Sequence, residues 1–77
     1  MLQATAKMYR DNGEMFFSWY MEDENGWVGS IDDFPTMKHC EESMYRHLAM
    51  WSKGEVCSVN GLLMTIDWVG YGSRVAY

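Results

Sequence analysis

The dipeptide Asn-Gly occurs three times in this chain of 77 residues, at positions 12–13, 25–26 and 60–61. Two-residue hairpin turns of type I′ need positive φ at both central residues, and Asn and Gly tolerate that conformation best. Each dipeptide stands between stretches in which apolar and polar residues alternate, which is typical of β-strands. The sequence therefore predicts three β-hairpins, and Tyr71-Gly72 gives a weaker fourth turn.

These turns predict strands at about 2–9, 14–21, 27–31, 55–59, 62–69 and 74–77. A slip of one residue would send every side chain to the opposite face of the sheet, so the apolar pattern tests the pairing. A two-residue loop at Asn12-Gly13 pairs Ala6 with Trp19. At the second dipeptide, a three-residue loop with Gly26 as the bulge residue would pair Trp19 with Ile31. That loop also places Trp27 on the same apolar face as Ile31.

The segment between the third and fourth strands has the pattern of a helix. Thr36 is a suitable N-cap and Gly54 a suitable terminator. Its apolar residues recur at steps of three and four and form one stripe, made of Met37, Cys40, Met44, Leu48 and Trp51. We therefore predict one domain over residues 1–77, of class α+β: an antiparallel β-meander in the order β-β-β-α-β-β-β, with one helix packed on one face.

Composition and charge exclude several classes of protein. The net charge is -5 and the six Lys and Arg residues are scattered along the chain, so no basic surface for direct nucleic-acid binding is expected. The first ten residues lack the pattern of a secretory signal, and no apolar stretch approaches the 18 or so residues of a membrane span. Two cysteines do not make a disulfide framework at this length. We expect a cytoplasmic protein without a membrane segment.

The predicted sheet is too wide for its helix. Six strands spaced about 4.8 Å apart would make a sheet nearly 30 Å wide, whereas one helix is about 10 Å across. The apolar face would therefore need a second chain to complete its cover. We predict a homodimer, or permanent docking on a partner.

The opposite face of the sheet is unusually aromatic. It carries Thr5, Lys7, Tyr9, Phe16, Ser18, Tyr20 and Val28. Tyrosine on a rigid strand is typical of protein interfaces. Acidic clusters at residues 22–24 and 32–33 could in addition occupy a basic, nucleic-acid-binding surface of another protein. The residues predicted to bind a partner are Tyr9, Phe16, Tyr20, Glu22, Asp23, Glu24, Trp27, Asp32 and Asp33.

An alternative function is a small metal-binding protein or a Cys/His enzyme, built on His39, Cys40, His47 and Cys57. Zinc sites usually draw on paired ligands at close spacing, and these four residues do not show that spacing. Both cysteines fall in predicted core positions, and the chain lacks a phosphate-binding loop or a nucleophile elbow. We therefore predict that the protein is not an enzyme and uses neither a metal nor another cofactor.

The segment "NGWVGSIDDFPT" resembles HicB-like antitoxin domains, which share the order β-β-β-α-β and an Asp-x-Pro motif before the helix. This resemblance covers roughly residues 14 to 53 and implies a regulatory domain that neutralises a small basic toxin. Short acidic domains rich in aromatic residues and Met also resemble phage-encoded inhibitors, including anti-CRISPR and anti-restriction proteins. Our main expectation is a small inhibitor of that style, which binds a surface of a larger protein. The antitoxin is the alternative.

Overall fold

The structure is a computed structural model that describes residues 1–66 and the backbone of residues 74–76. Its elements follow one another as β1 (Gln3–Asp11), β2 (Glu14–Asp23), β3 (Gly26–Phe34), α1 (Met37–Ser52), β4 (Val56–Val59), β5 (Leu62–Ile66) and β6 (Arg74–Ala76). The predicted turn at Tyr71-Gly72 lies outside the described residues. The class α+β is confirmed.

Two of the three Asn-Gly turns have the predicted geometry. Asn12 and Gly13 have φ of 52° and 82°, and Asn60 and Gly61 have φ of 50° and 87°. The first turn pairs Ala6 with Trp19. The turn at Asn60-Gly61 aligns Val59 with Leu62 and Cys57 with Met64, again as the apolar pattern predicts. These two dipeptides set the registers of β1 on β2 and of β4 on β5.

The helix begins and ends at the predicted residues. The Thr36 side chain accepts a hydrogen bond of 3.2 Å from the backbone N–H of His39, as an N-cap does. The last helical residue is Ser52, and Gly54 follows with φ of 80°. Gly54 also donates a backbone hydrogen bond to Ile66 in β5, so the end of the helix is tied to the sheet.

The predicted antiparallel meander is wrong. The strand order in the sheet is β3-β2-β1-β4-β5-β6, and β4 runs parallel to β1. The physical reason is that a helix between two strands returns the chain to its starting end, so β3 and β4 must point the same way. β4 therefore joins the free edge of β1, which also points that way. Asn60 extends this junction, because its side-chain oxygen accepts a 2.9 Å hydrogen bond from the backbone N–H of Ala6.

The second hairpin departs from the prediction in one respect. Trp19 does pair with Ile31, but Asp23 pairs with Gly26, so the turn has two residues. The bulge lies further along β3, at Val28. This residue stands between the pairs Met21–Gly29 and Glu22–Trp27 and has no partner of its own on β2. Trp27 thus shares the side of Glu22, opposite to the helix. The expectation that Trp27 lies on the helix-covered face is wrong, and so is the placement of Val28 on the other face.

The core lies between α1 and the centre of the sheet. Its buried apolar side chains are Ala4, Trp19, Met21, Cys40, Met44, Tyr45, Leu48, Cys57, Val59, Met64 and Ile66. Toward the ends of the strands the helix no longer covers the sheet. Met8, Met15 and Leu62 share the register side of buried residues, yet each is about half exposed or more. One helix seals the centre of this face and leaves these margins uncovered.

Candidate protein-binding surface

The side of β1, β2 and β3 opposite to α1, hereafter the open face, gathers most of the residues predicted to bind a partner. Strand pairing places Tyr9 beside Phe16, Thr5 beside Tyr20 and Gln3 beside Glu22. Trp27 lies across from Glu22 on β3. No described element packs over this surface. The alternation of side chains along each strand therefore builds one continuous aromatic face.

Tyr9, Phe16 and Asp33 form one corner of the open face. The rings of Tyr9 and Phe16 lie with centroids 5.9 Å apart. The Tyr9 hydroxyl donates a hydrogen bond to the Asp33 carboxylate and accepts one of 3.1 Å from the Asp33 backbone N–H. The hydrogen bond to the carboxylate, together with burial and the negative charge of Asp33, raises the pKa of Tyr9 to about 12. The two hydrogen bonds with Asp33 thus fix the Tyr9 side chain, and the raised pKa keeps its hydroxyl protonated.

A second irregularity in the pairing of β2 with β3 brings Asp33 into this position. The register shifts between Phe17 and Trp19, so Asp32 and Asp33 together stand opposite Ser18. Asp33 takes a φ of 71°, in the left-handed region that Asp adopts more readily than most residues. Asp32 remains exposed. The local pattern of alternation did not predict this bulge.

Tyr20 and Lys7 form the centre of the open face. The Lys7 ammonium nitrogen lies 5.4 Å from the centroid of the Tyr20 ring, within range of a cation–π interaction. Ser18, the partner of Lys7 in the strand pairing, is only 6% exposed although it lies on the helix-free side. The long side chains around Ser18 therefore make a partly closed layer. Lys7 was not among the predicted site residues, although its alternation with Thr5 and Tyr9 could have suggested it.

Trp27 is the most exposed aromatic residue among those described, with 71% of its surface accessible. Trp19, only eight residues earlier and on the other side of the sheet, is 1% exposed. A tryptophan that is left in water contributes little to folding, yet it can bury a large area against a partner. Trp27 is thus a candidate anchor for a partner at the edge of the sheet.

The acidic turn residues make local contacts. The Asp23 carboxylate accepts a 2.8 Å hydrogen bond from the backbone N–H of Asn25 and so stabilises the turn. Glu24 pairs with the ammonium group of Met1. Both residues also line a groove of about 380 Å³ at the end of α1, together with Met1, Leu2, Val28, Trp51, Ser52 and Glu55. This groove lies on the helix side of the sheet, so the structure does not bring Asp23 and Glu24 onto the open face.

Charge is strongly segregated along the chain. Seven of the eleven acidic residues, and none of the six basic residues, lie within residues 11–37. This segment contains β2 and β3 with their turns. One edge of the sheet is therefore negative, and the basic residues Arg10 and Lys38 flank this segment in the sequence.

The four residues of the alternative metal or Cys/His site do not come together: the two histidines make local hydrogen bonds and the two cysteines are buried. His39 Nδ1 lies 2.9 Å from the Thr36 hydroxyl, and His47 Nδ1 lies 2.8 Å from the Ser43 carbonyl oxygen. Cys40 and Cys57 are buried in the core. Desolvation raises the pKa of Cys40 to about 11 and also raises that of Cys57, which disfavours both thiolates. Within residues 1–66, no group of three potential metal ligands comes together.

His47 also has a packing role. Its ring lies between two tryptophans, with centroids 5.0 Å from Trp19 and 5.2 Å from Trp51. The Trp19 indole N–H donates a 3.0 Å hydrogen bond to the Ser43 hydroxyl, one turn before His47. The histidine thus belongs to the contact between α1 and the sheet.

Comparison with known proteins gives no relative of this chain: no family model matches it, and neither a curated protein nor a solved structure is detectably similar. In the described part of the chain, no helix has the length and apolar character needed to cross a membrane.

Proposed function

We propose that this chain is a non-enzymatic protein-binding domain that uses its open face to occupy a surface of a larger protein. One observation carries the proposal: Tyr9, Phe16, Tyr20 and Trp27 share one face of a rigid sheet with the carboxylates of Glu22 and Asp33. Aromatic side chains on strands bury large areas at low entropic cost, and the surrounding carboxylates select a basic partner. The domain would act as an inhibitor by covering that partner's own binding surface.

The absence of enzymatic activity is part of the proposal. It is supported by the raised pKa of Cys40 and by the local hydrogen bonds of both histidines, which leave no assembled nucleophile and base within the described residues. A location in the cytoplasm and the style of phage-encoded inhibitors remain predictions. They rest on sequence composition.

The proposal is tested by quantitative capture from the native host. Purified wild-type protein, Trp27→Ala and Phe16→Ala are each used as bait, and Met50→Ala is the matched control because Met50 is 65% exposed on α1. We expect Trp27→Ala and Phe16→Ala to lose most of the captured partner and Met50→Ala to retain it. If all three variants capture the same proteins equally, the open face is not the binding surface.

The antitoxin function is a narrower form of the same proposal. It is supported by the order β-β-β-α-β, which the chain follows from Gln3 to Val59. In that case the captured partner would be a small basic protein encoded by a neighbouring gene. A captured partner encoded elsewhere, such as a large nucleic-acid-binding protein, would favour the inhibitor.

The homodimer is proposed on separate grounds. Met8, Met15 and Leu62 are apolar, share the helix side of the sheet and remain at least 46% exposed. A second copy could cover them without occupying the open face. Sedimentation equilibrium of the wild type and of Met15→Ser tests this: we expect a dimer that Met15→Ser weakens, and a wild-type monomer at all concentrations would exclude it.

A further inference from the structure

β3 forms one edge of the sheet and offers a surface that is separate from the open face. Among the described strands, β3 has only β2 as a neighbour. An edge strand presents unpaired backbone N–H and C=O groups along its outer side, and these can pair with a further strand. The pairing of β3 with β2 runs without interruption across Gly29, Ser30 and Ile31, between the two register shifts. This stretch is where another strand could join.

The charges around β3 decide what kind of strand could join it. The edge is bracketed by Glu22, Asp23 and Glu24 at one end and by Asp32 and Asp33 at the other. The whole segment from residue 11 to residue 37 contains no basic residue. A second copy of β3 would bring the same negative segment and would be repelled. A strand that carries Lys or Arg would be attracted.

Side chains next to the free edge add apolar contacts on both sides of the sheet. Trp27 points to the open face and is 71% exposed, whereas Ile31 pairs with Trp19 on the helix side and is 38% exposed. Alternate side chains of an added strand face opposite sides of the sheet. One set would contact Trp27 and the other Ile31.

We propose that β3 binds an extended Lys- or Arg-rich segment of the partner as an added strand. Backbone hydrogen bonds to residues 29–31 supply affinity, and the carboxylates at the two ends of β3 select for basic side chains. The inference rests on the proposed function, since it specifies the partner chemistry and the binding mode of the same domain. It places this contact at the edge beside the open face.

The test uses synthetic peptides and NMR spectroscopy of the ¹⁵N-labelled full chain. The probe is a ten-residue peptide of alternating Lys and Thr. One control carries Glu in place of each Lys, and a second keeps the Lys residues but is N-methylated at all central residues. We expect the basic peptide to slow amide exchange in residues 26–34. The N-methylated peptide should bind at least about tenfold more weakly, since its central residues cannot donate backbone hydrogen bonds to β3, and the Glu peptide should not bind.

Protein variants test whether the carboxylates near β3 are needed for peptide binding. Asp32→Asn combined with Glu22→Gln should weaken binding of the basic peptide several-fold. Glu41→Gln combined with Glu42→Gln removes two carboxylates from α1 and should leave it unchanged. Raising the salt concentration should reduce binding to the wild type, because exposed charges are screened.

Three results would overturn the added strand. The first is equal binding of the N-methylated peptide. The second is an absence of binding by the basic peptide. The third is protection of β3 amides that rises with protein concentration in the absence of peptide, which would identify a second copy as the occupant. None of these changes the outcome of host capture with Phe16→Ala, whose side chain lies beside Tyr9 and away from the β3 edge, so failure of this inference is distinguishable from failure of the proposed function.

Discussion

Trp19 and Trp27 lie on neighbouring strands of one sheet, yet they have opposite environments. Trp19 is sealed under α1 at 1% exposure, with its indole N–H bonded to Ser43, whereas Trp27 is 71% exposed on the open face. The difference arises from a single extra residue in β3. The contrast shows that the two faces of these strands have different environments: one stabilises the fold, and the other, in our proposal, keeps aromatic surface available for a partner.

The largest effect is expected from truncating the helix-covered side. Leu48 is fully buried, so Leu48→Ala should lower the free energy of unfolding by about 2–5 kcal/mol. Met50→Ala, in the same helix but largely exposed, should change it by less than about 0.5 kcal/mol. Urea denaturation measures both variants. Equal losses would show that α1 does not pack on the sheet as described.

A smaller effect is expected at the junction of β1 with β4. Asn60→Ala removes the hydrogen bond to the Ala6 N–H and should cost about 1 kcal/mol more than Asn12→Ala. Asn12 is a matched control, because it has nearly the same φ in the same kind of turn but lacks this cross-strand bond. The comparison by urea denaturation isolates the side-chain contact to β1. Equal costs would argue against the parallel pairing.

On the open face, truncation should hardly change stability. Trp27→Ala should shift the free energy of unfolding by less than about 0.5 kcal/mol, because the side chain is mostly in water in the folded chain. The same variant should lose the captured partner. A loss of 2 kcal/mol or more would mean that Trp27 belongs to the core, and the contrast with Trp19 would fail.

The smallest effect is visible only in a titration. Asp33→Asn should lower the pKa of Tyr9 from about 12 toward its ordinary value of 10, since the carboxylate no longer holds the phenolic proton. A raised pKa stabilises the fold fully below pH 10, and this contribution is lost as the pH rises through 12, so it should make stability vary with pH only above about pH 10. NMR of the Tyr ring carbons follows the titration. An unchanged pKa of Tyr9 in this variant would show that Asp33 does not hold the phenolic proton.

Local sequence determines much of this fold. The positive φ required at Asn12-Gly13 and Asn60-Gly61 sets two registers, and Thr36 and Gly54 set the ends of the helix. The parallel pairing was also predictable in principle, because the chain reverses through α1 and must re-enter the sheet in the direction of β3. Nothing in the alternation of polar and apolar residues excluded it.

The extra residue at Val28, which decides the side that Trp27 takes, could not be predicted from alternation. Gly29 lies beneath Trp51, and a Cβ at Gly29 would lie 3.5 Å from Cη2 of that ring. This contact joins residues far apart in sequence, so the pattern of β3 alone does not encode which side Trp27 takes. For the same reason, sequence reasoning found the aromatic residues of the open face but misplaced Trp27.

Oxidative footprinting of the chain bound to its captured partner tests the central claim most directly. Hydroxyl radicals modify exposed Trp, Tyr and Met side chains, so the open face and the exposed side of α1 each have their own reporters. We expect the partner to protect Trp27 and Tyr20 and to leave the oxidation of Met50 unchanged. Protection of Met50 with full oxidation of Trp27 and Tyr20 would contradict the assignment of the open face as the binding surface.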